Sequence, residues 1–238
     1  MPANKGFGFG EFNAVVPVVS ELVAQSHEWG IRTIFVAGSS AQPFAYLFKQ
    51  IWMKKFTEPL PKFLALGNSP KTKGHWRERS RTFAKNYPEL KNMPSLVFDE
   101  FAATGKTIQM VRKEVQHIGF SQVKTAALGT YRFGVLANNS PMPDFVGAKY
   151  GDKKRKKAYE YLSIFAGQRA DIIEMARERR NPRTMYIHGK VLSEGKAFLK
   201  DFRRRSRLVA KKQTSFSNIK IGKVAGRFRN VQQARRAK

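Results

Sequence analysis

The segment SLVFDEFAATGKTIQ, from Ser95 to Gln109, holds the groups in this chain best suited to chemistry. An apolar run ends in two adjacent acids, Asp99 and Glu100. Small and hydroxylic residues follow: Ala103, Thr104, Gly105, Lys106 and Thr107. An apolar stripe at helical spacing comes next. Amides at a helix N-terminus converge on an anion, and the helix dipole favours negative charge there. The hydroxyls of Thr104 and Thr107 add donors. The two acids cannot face that anion closely, but they can accept hydrogen bonds from sugar hydroxyls or lie near a metal. A sugar 5-phosphate offers both partners, a phosphate at one end and a vicinal diol at the other. Adjacent acids at the end of a buried strand are costly to hold without such a partner.

Two better-known phosphate loops fail on spacing. A Walker loop needs glycine five residues before Gly105. That position is Glu100, whose carboxylate would stand where backbone must cradle phosphate. A dinucleotide fingerprint needs G-x-G-x-x-G after a strand, and none is present.

The elements that must position these groups alternate. NAVVPVVSELVAQSHEWG predicts an amphipathic helix after Pro17, stopped at Gly30. RTIFVAG, KFLALG, SLVFDE and QVKTAALG are continuous apolar runs, which predict buried strands. SSAQPFAYLFKQIWMKKF and KTIQMVRKEVQHIG predict helices, the second ending at Gly119. NSPKTKGHWRERSRTFAKNYPELKN is long, polar and basic. The pattern predicts an α/β fold, a mainly parallel sheet flanked by helices, with ligands beyond the carboxyl ends of the strands. Past Asn138 the pattern weakens. One short strand is expected in NNSPMPDFVGAKYG, helices in KAYEYLSIFAGQRADIIEMARERR and DFRRRSRLVAKKQ, and a tail disordered on its own.

Charge divides the chain. Its 238 residues carry a formal net charge of +28. From Lys149 onward there are 27 Lys+Arg against 7 Asp+Glu; the first 148 residues hold 18 and 10. The expected organisation is a domain over residues 1–150 and a basic extension over 151–238. An excess of this size is offset by a polyanion, usually nucleic acid. The runs Lys153, Lys154, Arg155, Lys156, Lys157 and Arg203, Arg204, Arg205, Arg207 are the candidate phosphate contacts on RNA or DNA. The aromatics between them could stack on bases, although Tyr161 and Phe165 have core spacing. There is no cysteine, and the four histidines have no metal-ligand spacing. No run is long enough to span a bilayer and no secretory signal is evident, so the expected location is cytoplasmic or on nucleic acid.

LVFDEFAATGKT resembles the PRPP-binding signature of the type I phosphoribosyltransferases, and the wording TGKTIQ leans toward the hypoxanthine–guanine subgroup. The resemblance covers roughly residues 15 to 150. It implies that Asp99 and Glu100 hold the ribose hydroxyls and that Ala103 to Thr107 hold the 5-phosphate. Gly38, Ser39 and Ser40 would form the loop that meets pyrophosphate, and Mg²⁺ would accompany PRPP. Lys71 to Lys91 would be a mobile loop closing over the site. PDFVGAKY, residues 143 to 150, resembles the hood segment that identifies the base.

This chain departs from that subgroup at three places. Ala103 stands where the 6-oxopurine enzymes carry an acid used as general base, so no carboxylate there can take a proton. Thr130 and Tyr131 stand near the place of a purine-reading lysine, and Arg132 substitutes only if the register slips. Gly38-Ser39-Ser40 replaces a Lys-Gly-Gly-like loop. The acceptor base is therefore not named by the sequence. Two readings follow. In the first, a phosphoribosyltransferase-fold protein binds PRPP or a nucleotide 5-phosphate and associates with RNA or DNA through its basic extension, within a nucleoprotein assembly or as a homo-oligomer. In the alternative, a salvage enzyme moves phosphoribose from PRPP to a nitrogenous base with release of pyrophosphate. The charge favours the first.

Overall fold

The computed structural model describes residues 9–38, 40–66, 75–130, 141–164 and 199–210. Five strands form one sheet: β1 (Thr33–Val36), β2 (Lys62–Ala65), β3 (Ser95–Ala102), β4 (Val123–Thr130) and β5 (Phe145–Lys149). All pair in parallel, in the order β2-β1-β3-β4-β5. The helices are α1 (Phe9–Glu28), α2 (Ala41–Lys55), α3 (His75–Asn86), α4 (Lys106–His117) and α5 (Lys156–Ile164). Residues 199–210 form a further helix.

Parallel strands need crossovers, and the crossovers cover both faces of the sheet. Alternate β-residues therefore feed two cores. Ile34, Val36, Leu96 and Phe98 join α1, α2, α5 and Phe202 on one face. Phe35, Val97 and Ala127 join Trp76 of α3 and Ile108, Val111 and Val115 of α4 on the other. The expected α/β sandwich is thus present. From β1 the strand order runs to β2 in one direction and to β3 in the other. Loops leaving β1 and β3 diverge at such a switch point and open a crevice between them.

Three expectations change. The first helix begins at Phe9 and contains Pro17 rather than starting after it. Proline removes one helical hydrogen bond, but the buried face Phe12, Val15, Val19, Leu22 and Val23 runs straight through that position. The basic stretch after β2 is not loop throughout. His75–Asn86 is helical, with Trp76, Ser80 and Ala84 buried on one side. The Ser80 hydroxyl donates to the Trp76 carbonyl at 2.8 Å. Helix α3 therefore packs as part of the second core, and of the expected mobile loop only residues 71–74 lie outside the described residues. Finally, the core does not end at residue 150. Ala158, Tyr161 and Leu162 of α5, and Phe202 beyond, are buried with α1 and α2.

Long-range polar contacts fasten these later elements. The Arg155 guanidinium donates to the Gly147 carbonyl and to Glu21 on α1, each at 2.6 Å. At the β4–β5 edge, the Thr125 amide and hydroxyl both donate to Asp144, at 2.8 and 2.9 Å. That pair pins the register in which Ala126 faces Phe145.

Candidate phosphate and sugar site

Strand β3 carries the acid pair to the crevice between the loops after β1 and β3. Its residues alternate faces as far as Phe98. Phe101 then packs on the first core and Ala102 lies in the second, the opposite of strict alternation. The change of face falls at Asp99 and Glu100. The pairing with β4 runs unbroken across it, Asp99 opposite Ala127 and Phe101 opposite Gly129 as Ser95 is opposite Val123. The Glu100 amide donates to its neighbour's carboxylate, Asp99 Oδ1, at 3.0 Å.

Both acids are buried, 6% and 5% exposed. Burial, and then the adjacent Glu100 charge, push the Asp99 carboxyl well above the usual carboxylate range. Glu100 Oε2 has no hydrogen-bond partner among the described residues. The pair is thus a desolvated acceptor set with capacity unused, which suits hydroxyl donors or a cation.

The loop after β1 lies against this pair. A Cβ on Gly38 would come within 3.2 Å of Asp99 Oδ1 and 3.6 Å of Glu100 Oε2. Only a residue without a side chain leaves that gap open. The backbone there is fixed by the Ala37 amide, which donates to the Phe98 carbonyl at 2.9 Å. Ser40 is buried at the N-terminus of α2 and makes no side-chain cap. Ser39 lies outside the described residues.

On the other side, Gly105 precedes α4 in the left-handed region, φ 74°, a conformation that glycine takes without strain. No side chain caps α4 and no acid stands in its first turn. The Lys106 amide reaches only Thr104 Oγ1, at 3.5 Å. Ala103, Lys106 and Thr107 are exposed and Thr104 is half-buried. Two helix N-termini with uncapped amides therefore flank two buried carboxylates. Thr130, at the end of β4, donates its hydroxyl to the Ala102 carbonyl at 2.8 Å, which secures the loop from behind. Tyr131 and Arg132 lie outside the described residues.

The acid pair sets a pH dependence for folding. A carboxyl with a raised folded pKa binds its proton more tightly in the native state than in the unfolded chain. Stability is then fullest below the ordinary carboxylate value, 3.8, and declines as pH rises through the raised one. Asp99→Asn is expected to flatten that decline, read as melting temperature from acidic to neutral pH. An unchanged slope would show that the charge is accommodated another way.

The basic runs are partly committed. Arg155 is the clasp to Glu21 already described. Lys156 lies 3.8 Å from Glu160. Arg204 and Arg205 both pair with Asp201, at 2.8 and 2.5 Å. Lys153, Lys154 and Lys157 are exposed. Arg203 and Arg207 are exposed as well, and Arg207 Nε donates to the Tyr46 hydroxyl at 2.9 Å. Of the interleaved aromatics, Tyr159, Tyr161 and Phe202 are core residues rather than stacking platforms. Phe165, Tyr186, Phe198, Phe216 and Phe228 lie outside the described residues.

No family model and no curated protein matches this sequence. Among solved structures the chain is similar to phosphoribosyltransferases. A purine phosphoribosyltransferase from Pyrococcus horikoshii Ot3 is 17% identical over 58% of this chain and 84% of that one, with a TM-score of 0.40. A hypoxanthine–guanine phosphoribosyltransferase from Bacillus anthracis is 13% identical over 59% and 79%, TM-score 0.39. The enzyme from Leishmania tarentolae, in complex with GMP, is 9% identical over 60% and 78%, TM-score 0.43. No helix among the described residues is long and apolar enough to cross a membrane.

Proposed function

We propose that this protein binds PRPP and transfers its phosphoribosyl group to a nitrogenous base, releasing pyrophosphate. The observation that carries this reading is the approach of Gly38 to the acid pair at the sheet's switch point. Asp99 and Glu100 accept from the ribose hydroxyls. The amides opening α4, with Thr104 and Thr107, take the 5-phosphate. The loop Gly38–Ser40 and the amides opening α2 face the pyrophosphate. Mg²⁺ fits the same place, since Glu100 Oε2 is buried without a partner. Two carboxylates alone hold it only with help from ligand oxygens, as Mg²⁺ is commonly bound, and it would offset the charge of the pyrophosphate. The chain's own part is to fix the sugar between two ends and to exclude water, so positioning supplies most of the rate. With Ala103 in the loop, the acceptor must bring or lose its proton without a carboxylate there. A pyrophosphate-release screen of PRPP against a panel of bases tests this. Release with one base establishes the transfer, and PRPP binding without release leaves a binding protein.

A second reading adds RNA or DNA as a partner. It is favoured by the charge of the last third and by the exposed Lys153, Lys154, Lys157, Arg203 and Arg207. Binding is expected to weaken steeply with salt, because each neutralised phosphate releases a counterion. Truncation after Tyr150 is a poor test, since it removes Tyr161, Leu162 and Phe202 from the core. Lys→Gln changes at 153, 154 and 157 are the better one. The expected result is a shallower salt slope, and an unchanged slope would place the contacts elsewhere.

A further inference from the structure

Helix α2, the β1–β2 edge of the sheet and the 199–210 helix enclose a pocket of about 210 Å³. Part of its lining is apolar, Val36, Pro43, Phe63 and Phe202, with Val36, Pro43 and Phe202 buried. The rest is cationic and polar and less buried: Lys49, Arg203 and Gln42, beside the Tyr46 hydroxyl that holds Arg207. The Lys49 ammonium lies 4.4 Å from the centre of the Phe63 ring. It makes no ion pair among the described residues, and burial lowers its pKa. A half-buried ammonium against an aromatic wall gains from an arriving anion.

The volume is below the ~300–1,000 Å³ of pockets that engulf a whole ligand. It suits one planar ring, with the rest of the ligand at the mouth. The Gln42 amide can both donate to and accept from the edge of such a ring. We propose that this pocket is a second site, for one nucleotide unit: the base enters the apolar slot and the phosphate lies on Lys49 and Arg203. The unit comes either from a free mononucleotide or from a single strand. The site does not depend on the acid pair. Val36 lines this pocket while Gly38 faces the carboxylates, so the two sites flank the loop after β1. In its strand form alone the proposal rests on the nucleic-acid reading above.

The test uses the full chain carrying Asp99→Asn and Glu100→Gln, which removes the sugar contacts of the first site. AMP and single-stranded oligo(U) are the probes, titrated by calorimetry and fluorescence anisotropy. Adding Lys49→Gln with Arg203→Gln is expected to lower affinity for at least one probe by about tenfold or more, since charge-assisted hydrogen bonds are lost. Loss for AMP assigns a free mononucleotide, and loss for oligo(U) alone assigns a strand. Lys85→Gln with Lys113→Gln removes equal charge outside the pocket and outside the basic runs, at two exposed positions, and is expected to leave AMP binding unchanged and to weaken oligo(U) less. An equal effect of the two double changes overturns the proposal. So does the absence of any effect at Lys49 and Arg203, or failure of both probes to bind before those residues are changed. PRPP titration of the unmodified chain is a separate measurement, so failure of the transferase reading is seen independently.

Discussion

With Asp99→Asn and Glu100→Gln combined, PRPP binding is expected to disappear while the fold remains. Both carboxylates are buried at the strand end, and Glu100 Oε2 has no partner among the described residues. Hydrogen bonds to a charged group contribute about 1.5–3 kcal/mol each. Losing two such acceptors weakens binding by about 10²–10⁴. The amide replacements keep the shape and remove charge that burial opposes, so the melting temperature at neutral pH is expected to hold or rise. Calorimetry with PRPP and Mg²⁺, beside thermal unfolding, measures both. Affinity equal to that of the unmodified protein would remove the acids from the site. A fall in affinity together with a collapse in melting temperature would make them structural instead.

The second large effect is on folding. Gly147 lies in β5 beneath α1, and a Cβ there would sit 2.1 Å from Val18 Cγ1 and 2.5 Å from the Leu128 carbonyl oxygen. The carbonyl belongs to the neighbouring strand, so β5 must shift against β4 as well as α1 lift from the sheet. Gly147→Ala is expected to destabilise the protein by about 3 kcal/mol, at the upper end of overpacking costs. For a chain of this size that lowers the melting temperature by about 10 °C. Val18→Ala in the same background is expected to recover part of the loss, because the two positions touch. A shift of only a degree or two would mean that α1 stands further from the sheet.

Much of the site was legible because its residues are contiguous. Leu96 to Phe98 form an apolar run that only a covered strand explains, and the acids, glycine and threonines follow within ten residues. Local chemistry of this kind survives in one dimension. Gly38 lies 61 residues before Asp99, and its place by the acids comes from β1 pairing with β3, which spacing alone does not state. Helix α3 was hidden by composition. Its exposed positions are so basic that Trp76, Ser80 and Ala84, one stripe of a helix, were lost among them. Pro17 misled in the other direction, since a local stop signal was outweighed by the buried face on either side of it. The pocket had no sequence signal, because Tyr46 and Arg207 meet across 161 residues.

That last separation bears on how the chain folds. Glu21 meets Arg155 across 134 residues, and Phe12 stacks edge-on against Phe202 at 5.0 Å. Contacts of such span close large loops and are made late. During synthesis the first 150 residues emerge with α1 and α2 formed but one apolar side of them uncovered. The last third must arrive before Phe12 and Phe44 leave water. Until then the nascent chain exposes a sticky surface beside a growing run of positive charge, and like-charge repulsion between such chains delays their clumping while the final helices dock.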